Sequence, residues 1–335
     1  MKTLEFKNKD TMHAIGLGTW KAKGNEVKKA VKDALKAGMR HIDTAAAYGN
    51  EKEIGEALAE VFAEGNIMRE DVFITSKLWN DAHKEGYVIP AIEKSLKNLQ
   101  LEYLDLYLVH WPVAFKPGVN QPSKPSDYLS LEEVPLIETW KQMEKIKEDG
   151  YARHIGVSNF SKEKLEDLIK KAKIKPEMNQ IELHPLLQQD KLIAFCKSQD
   201  IFVTAYSPLG SGDRSHDMKG EDEPNLLELA EIKEIAKRHN ASAGQILINW
   251  HNQRGCAAIP KSTSKDHIQE NFKAANIELS KADMDKISLL DRHYRFITGA
   301  FFEEESKGYT DIYDEKNALI DGIKNIGGKI KNAIN

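Results

Sequence analysis

The sequence predicts an α/β fold in which eight strand–helix units close into a single-domain (β/α)8 barrel. Short apolar runs alternate with longer amphipathic stretches about eight times along the 335 residues. The runs are four to seven residues long and rich in Ile, Val, Leu, Phe and Tyr, as expected for parallel strands buried on both faces. Eight units in a row favour closure over an open, doubly wound sheet.

The eight predicted strands cover residues 14–18, 39–43, 72–77, 104–110, 154–158, 178–182, 202–207 and 257–260. Apolar residues at helical spacing predict helices between them, for example over residues 25–36, around 192–196 and as one helix over 226–238. Two connections are long, residues 111–135 and 210–224. In a barrel both would lie at the C-terminal face, where barrel enzymes carry out their chemistry.

Composition and short motifs exclude several classes of protein. The chain has 48 basic and 52 acidic residues without a basic block, so no nucleic acid partner is expected, and no apolar run reaches the ~20 residues of a membrane span. The N-terminus lacks the apolar stretch of a signal peptide. Cys196 and Cys256 have no CxxC spacing, which argues against disulfides and zinc. We therefore expect a cytoplasmic protein without a metal, either a monomer or a weak dimer.

Polar residues stand where three neighbouring predicted strands end. Asp43, Lys77 and His110 end the second, third and fourth strands, and Tyr48 follows shortly after Asp43. An ammonium lowers the pKa of a nearby phenol, and a carboxylate holds that ammonium in place. A neutral imidazole can orient a carbonyl group. The residues therefore predict either a proton-donating site or a structural Asp43–Lys77 ion pair beside two ordinary polar residues.

Eight motifs, in order between about residues 12 and 290, resemble those of the aldo-keto reductases. They are GLGTW at 16–20, RHIDTAAAYGNE at 40–51, ITSKLW at 74–79, LDLYLVHWP at 104–112, GVSNF at 156–160, NQIELHP at 179–185, AYSPLG at 205–210 and IPKS at 259–262. The first contains two glycines but not the third of a dinucleotide fingerprint, and we interpret it as a turn leading to Trp20.

The resemblance implies a barrel that reduces aldehyde carbonyls, with aldoses and ketones as further candidate substrates, by direct hydride transfer from NADP(H). It makes Tyr48 the general acid, with Lys77 and Asp43 tuning it and His110 orienting the carbonyl. The family's steroid double-bond reductases carry a glutamate in place of that histidine. His110 therefore favours reduction of C=O over C=C.

The resemblance also implies a set of cofactor contacts. Ser158, Asn159 and Gln180 match the residues that bind the carboxamide, and Tyr206 matches the aromatic that stacks on the nicotinamide, although it could equally be a core tyrosine. The remaining matches are Ser207, Leu209 and Ser211 at the pyrophosphate, Lys261, Ser262 and Thr263 at the 2′-phosphate, Glu270 and Asn271 at the adenine, and Gly18, Thr19, Trp20 and Asp43. His267 stands where many NADPH-specific members have arginine. We therefore expect NADP(H) to be preferred and NAD(H) to be usable.

The expected substrate pocket contains Trp20, Trp79, His110 and Trp111, with Phe115 as either a wall or a core residue. Residues 301–302 are further candidates. Ala47 and Gly49 stand where many relatives have bulkier residues, which predicts room for a wider substrate.

We divide the chain into a barrel, residues 1–314, and a tail, residues 315–335, predicted as a short amphipathic helix or a frayed end. One alternative function is a cofactor-binding sensor subunit of the same fold with little turnover, which the intact set of four polar residues disfavours. Another is an isomerase or aldolase that uses Lys77 as a Schiff base. That would require a desolvated lysine without an adjacent aspartate, and it explains none of the cofactor motifs.

Overall fold

The computed structural model describes residues 2–214, 219 and 223–315. Within these residues, one sheet contains eight parallel strands, and each pairs with the next along the chain. The strands are β1 (Leu17–Gly18), β2 (His41–Asp43), β3 (Phe73–Leu78), β4 (Leu104–Val109), β5 (Ala152–Ser158), β6 (Met178–Glu182), β7 (Phe202–Tyr206) and β8 (Ala257–Ala258). Every predicted strand overlaps one of them.

Main-chain hydrogen bonds between the first and last strands close the sheet. Gly16 N donates to Ala258 O at 2.9 Å, Ala258 N donates to Ala14 O at 2.8 Å, and Gly18 N donates to Pro260 O at 3.2 Å. A Cβ atom on Gly18 would lie 2.6 Å from the carbonyl oxygen of Ile259, so the close approach requires glycine. The prediction of a (β/α)8 barrel is confirmed. Gly18 lies in the strand that closes the barrel, as the strand predicted over residues 14–18 indicated, so the interpretation of the 16–20 motif as a turn is wrong at residues 17–18.

Ten α-helices lie within the described residues. They are α1 (Gly24–Ala37), α2 (Glu51–Ala63), α3 (Val88–Leu99), α4 (Leu136–Glu148), α5 (Lys162–Lys171), α6 (Asp190–Ser198), α7 (Ala230–Arg238), α8 (Ala243–Gln253), α9 (Lys265–Lys273) and α10 (Lys281–Ser288). The single helix predicted over 226–238 is wrong. Leu229 has a ψ of 129°, which separates a 3-10 turn, Leu226–Glu228, from α7.

Smaller elements cover the two ends of the barrel. An N-terminal hairpin pairs Thr3–Glu5 with Thr11–His13, and the Phe6 ring at its turn stacks on Phe73 at the start of β3. The long connection after β4 contains an antiparallel pair, Ala114–Phe115 with Tyr128–Leu129. Among the described residues, no helix combines the length and apolar character needed to cross a bilayer. The predicted tail lies outside the described residues except for Glu315, so the division of the chain stays a prediction.

Candidate active site

The structure brings together the four polar residues that follow the strand ends. Asp43 ends β2, Lys77 lies in β3, His110 directly follows β4, and Tyr48 ends a 3-10 turn, Ala46–Tyr48, after β2. The Lys77 ammonium donates to Asp43 Oδ1 at 2.6 Å and to Tyr48 OH at 3.3 Å. The rings of Tyr48 and His110 pack edge to face with centroids 5.7 Å apart. A carboxylate, an ammonium, a phenol and an imidazole therefore meet at one place.

Lys77 is fully buried, so its charge depends on its partners. Its ammonium donates to three oxygens, since the carbonyl oxygen of Thr44 accepts at 2.9 Å in addition to Asp43 and Tyr48. Burial is the largest single effect and would lower the pKa of Lys77, but the charges and hydrogen bonds of Asp43 and Tyr48 together outweigh it and hold that pKa above its ordinary value. Lys77 is therefore an ammonium at neutral pH.

The pKa of Tyr48 shifts in the opposite direction to the one we expected. Burial raises the pKa of the phenol, and this outweighs the Lys77 ammonium, which acts to lower it. The expectation of a lowered pKa is wrong because it considered the charge of the neighbour and not the desolvation of the phenol. Tyr48 is therefore protonated at neutral pH, and Lys77 is placed to stabilise the phenolate that would form if the proton left.

His110 is a neutral imidazole, in line with the sequence-based expectation. Burial lowers its pKa well below the ordinary value, and the positive charge of Lys77 lowers it further. Its Nδ1 atom is buried and has no hydrogen-bond partner in the described part of the chain. The Asn159 side chain donates to the main-chain carbonyl of His110 at 2.9 Å, which holds the residue in place.

The predicted carboxamide-binding residues are joined to this cluster by hydrogen bonds. Gln180 Nε2 donates to Asp43 Oδ2 at 2.6 Å, and Ser158 Oγ donates to the main-chain oxygen of Gln180 at 2.8 Å. The Tyr206 hydroxyl donates to Asn159 Oδ1 at 2.7 Å. Residues from β5, β6 and β7 therefore hold one another in fixed positions beside Asp43.

Three predicted cofactor residues have a left-handed backbone that side chains disfavour. The φ angles are 62° at Asn159, 50° at Ser207 and 48° at Ser211. Such conformations cost free energy and cluster at ligand sites, where the surrounding structure maintains them. The hydroxyls of Ser207 and Ser211 lie 2.6 Å apart across the turn after β7.

A cavity of about 1140 Å³ opens at this end of the barrel. It is somewhat larger than the ~300–1,000 Å³ of common small-molecule sites, as a dinucleotide and a second ligand would require. The predicted residues that line it are Gly18, Thr19, Trp20, Asp43, Tyr48, Trp79, His110, Trp111, Ser158, Asn159, Gln180, Tyr206, Ser207, Leu209, Ser211, Lys261, Ser262, Thr263 and His267.

Four predicted site residues are not in the cavity wall formed by the described residues: Lys77, Phe115, Glu270 and Asn271. Lys77 is buried beside Asp43 and Tyr48, which do line the cavity. Phe115 is fully buried, with its ring 6.1 Å from Trp79 and 5.2 Å from Tyr128, so the core interpretation holds for it. Glu270 and Asn271 lie on α9, and their contact with adenine stays a prediction.

The cavity also contains residues that sequence reasoning missed. Asn120 lies in the long connection after β4, and its carbonyl oxygen accepts a hydrogen bond from Trp79 Nε1 at 2.8 Å. The length of that connection was the available signal. Residues 296–298 also line the cavity, and no motif pointed to them. Asp213, in the loop after β7, pairs with Lys261 at 3.1 Å.

Comparisons with known proteins match most of the chain. The model of the Aldo/keto reductase family matches residues 14–292. An aldo/keto reductase of Synechocystis is 47% identical over 94% of this chain and 97% of its own length. Aldose reductase B of Dictyostelium discoideum is 48% identical over 89% of this chain and 96% of its own length. The structure of the aldose reductase from Schistosoma japonicum superposes with a TM-score of 0.85 at 38% identity, covering 94% of this chain and all of that one.

Proposed function

Because the chain belongs to the aldo/keto reductase family, we propose that it reduces aldehyde carbonyls to alcohols with NADP(H), using Tyr48 as the proton donor. Carbonyls of aldoses and ketones belong to the same proposed substrate class. One observation carries the proposal. The buried Lys77 ammonium contacts both the Tyr48 hydroxyl and the Asp43 carboxylate, and these two partners line the cavity.

Each of the four residues has a distinct part in the proposed reaction. The bound cofactor supplies a hydride to the carbonyl carbon. Tyr48 donates its proton to the carbonyl oxygen, and Lys77 stabilises the resulting phenolate. Asp43 keeps Lys77 charged and in position. The neutral His110 ring donates a hydrogen bond to the same carbonyl oxygen and orients it before the proton moves.

The donor set around the cavity fits a nicotinamide dinucleotide. Gln180 donates one amide hydrogen to Asp43, which leaves its carbonyl oxygen and its second amide hydrogen as the groups that it can offer to a carboxamide. Tyr206 lines the cavity beside this group, where it can stack on the nicotinamide ring. We propose that the Ser207–Ser211 turn binds the pyrophosphate, and that Lys261, Ser262 and Thr263 bind the 2′-phosphate by charge-assisted hydrogen bonds.

We propose that NADPH is preferred over NADH, but incompletely, because the exposed His267 lacks the guanidinium with which an arginine would bind the 2′-phosphate in a bidentate manner. His267→Arg should raise the ratio of kcat/KM for NADPH to that for NADH by up to about fivefold, as expected for an exposed charge pair worth up to ~1 kcal/mol. Lys273→Arg, at the other end of α9, is the control and should leave the ratio as it is. An unchanged ratio in His267→Arg would contradict the proposal that residue 267 limits the preference for NADPH.

The substrate side of the cavity has aromatic walls. Trp20, Trp79 and Trp111 line it together with Phe301 and Phe302, which suits a carbonyl compound with an apolar or sugar-like body. A panel of aldoses, aliphatic aldehydes, aromatic aldehydes and ketosteroids, followed by the loss of NADPH or NADH absorbance, tests the proposal. If NADPH binds but no member of the panel is reduced, the function is a cofactor sensor and not a reductase. The cytoplasmic location and the monomeric or weakly dimeric state stay predictions.

A further inference from the structure

A buried carboxylate holds two consecutive main-chain amides of the C-terminal segment. Glu182 is fully buried at the end of β6. Its Oε1 accepts from the main-chain nitrogen of Phe296 at 2.6 Å, and its Oε2 accepts from that of Ile297 at 2.9 Å. A buried carboxylate that accepts two main-chain hydrogens fixes those residues to the barrel. The Phe296–Ile297 peptide is therefore anchored at the mouth of the cavity.

Arg214 holds the same peptide from the loop after β7. Its Nη1 donates to the carbonyl oxygen of Phe296 at 2.7 Å, and its guanidinium lies 5.2 Å from the centroid of the Phe296 ring. The side chain is 1% exposed and forms an ion pair with Glu223. A guanidinium buried this deeply is held in one geometry by its partners. Arg214 is therefore part of the packed structure and not a mobile surface charge.

Arg214 also holds the turn that carries the proposed pyrophosphate contacts. Its Nε donates to the carbonyl oxygen of Ser211 at 3.3 Å, and its main-chain nitrogen donates to the same oxygen at 3.2 Å. Ser207 and Ser211 line the cavity on the cofactor side of the proposed site, and Ile297 and Thr298 line it as well. One side chain therefore contacts both the turn that would bind the cofactor and a second segment of the cavity wall, which continues along the chain to Phe301 and Phe302 of the proposed substrate wall.

We propose that Arg214 is a positioning residue that couples cofactor binding to substrate binding. This inference rests on the proposed function. A cofactor that favours one position of the Ser207–Ser211 turn would, through Arg214, also favour one position of Phe296 and Ile297, so each ligand should raise the affinity for the other by the same factor. The planar guanidinium of Arg214 is essential to this coupling, because lysine has a single nitrogen that cannot occupy the positions of both Nε and Nη1.

The test measures that factor by calorimetry in a complex that cannot turn over. NADP+ is titrated into the protein with and without 4-nitrobenzaldehyde, since the oxidised cofactor has no hydride to transfer. We expect the aldehyde to tighten NADP+ binding about fivefold or more in the wild type, within the usual range of coupling between sites. In Arg214→Lys the factor should fall to about one, and the Kd for NADP+ alone, measured in the same experiment, reports the separate effect of the substitution on cofactor binding.

Arg254 provides a matched control. Its guanidinium also donates to a carbonyl oxygen, that of Gln188, at 2.7 Å, pairs with Asp190 and stacks 4.4 Å from the centroid of Trp250. Its contacts do not include the cavity wall formed by the described residues. Arg254→Lys should therefore keep the wild-type coupling, and a loss there equal to that in Arg214→Lys would overturn the inference.

The remaining outcomes separate the inference from the proposed function. A wild type that binds no NADP+ contradicts the proposed function, whereas normal binding with no coupling, or with coupling that survives in Arg214→Lys, contradicts only the role of Arg214. If Arg214→Lys does not fold, Glu223→Gln replaces it, because it removes the carboxylate charge that holds the same guanidinium. Coupling should then fall at least about twofold, and unchanged coupling overturns the inference.

Discussion

Two buried histidines, His110 and His154, lie at opposite ends of the barrel strands and differ in what surrounds them. His154 lies near the start of β5, and its two ring nitrogens each contact a carboxylate, Asp10 and Glu177, at 3.0 Å. The ring of Phe6 covers it with centroids 3.9 Å apart. His110 follows the end of β4 and lines the cavity, with Nδ1 lacking a partner in the described part of the chain.

The difference shows that burial and charge alone do not make a reactive site. At the N-terminal end of the strands both ring nitrogens of His154 have a protein partner, and the Glu177 carboxylate is also paired with Lys147. Such a saturated cluster has nothing to offer a ligand and contributes to stability. At the mouth the polar groups face an open cavity. Barrel enzymes show the same division between a catalytic C-terminal face and a stabilising N-terminal face.

Of the effects that distinguish the two ends of the barrel, we expect the largest to be the loss of catalytic rate when a residue at the mouth of the cavity is substituted. Tyr48→Phe removes the proposed proton donor, so kcat/KM for an aldehyde should fall about 10²–10⁴-fold, as is usual for a lost general acid. The Kd for NADPH should stay near the wild-type value. Tyr107→Phe is the control, because Tyr107 is also a buried phenol but lies within the hydrophobic core. Steady-state kinetics would contradict the assignment if Tyr48→Phe kept most of its turnover.

The next largest expected effect is a loss of protein stability when His154, at the opposite end of the barrel, is substituted. His154→Ala leaves the Asp10 and Glu177 carboxylates without their shared partner, and we expect the free energy of unfolding to fall by about 1–3 kcal/mol. The kcat/KM for an aldehyde should stay within about twofold, because the cluster contributes nothing to the cavity wall. Urea unfolding and steady-state kinetics measure the two quantities. A large drop in kcat/KM with unchanged stability would contradict the assignment of a purely stabilising role to the His154 cluster.

The smallest expected effect is on the stability of the protein in acid. Burial would raise the pKa of Glu177, but hydrogen bonds from His154 and Lys147 outweigh it, so that pKa is lowered in the folded state. The pKa of Asp10 is lowered too, because hydrogen bonds from Asn8 and His154 outweigh its burial. A lowered folded pKa contributes stability above the unfolded value of about 4, and this contribution is lost as the pH falls through the folded pKa.

Removal of the shared histidine should therefore weaken this acid dependence. The urea midpoint of the wild type should fall more steeply than that of His154→Ala as the pH is lowered from about 5 to about 3. Tyr48→Phe, at the mouth, should keep the wild-type steepness. Parallel curves for the wild type and His154→Ala would show that the cluster does not carry the effect.

Much of the fold and most of the site could be predicted from local patterns. Short apolar runs identified all eight strands, and parallel strands in chain order necessarily bring the ends of β2, β3 and β4 to one edge. The proximity of Asp43, Lys77 and His110 therefore follows from the sequence alone. Their catalytic roles stay predictions.

Local patterns could not predict properties that depend on packing between distant segments. The pKa of Tyr48 is raised because the fold desolvates the phenol more than Lys77 compensates. The helix predicted over 226–238 is interrupted at Leu229, and the ring of Phe115 is enclosed by Trp79 and Tyr128. Periodicity reports which face of an element is apolar, but it carries no information on how deeply a neighbouring segment will bury one group.

The same limit applies to the hydrogen bonds that Glu182 and Arg214 make with the main chain of Phe296. Its partners Glu182 and Arg214 are 114 and 82 residues away along the chain. Strand order and the positions of polar groups at the strand ends follow from residues close together in the sequence, whose spacing specifies local geometry. Which distant groups meet, and how strongly each is desolvated, depends on the closed barrel and the loops packed over its mouth, because burial and hydrogen bonding are properties of the assembled fold.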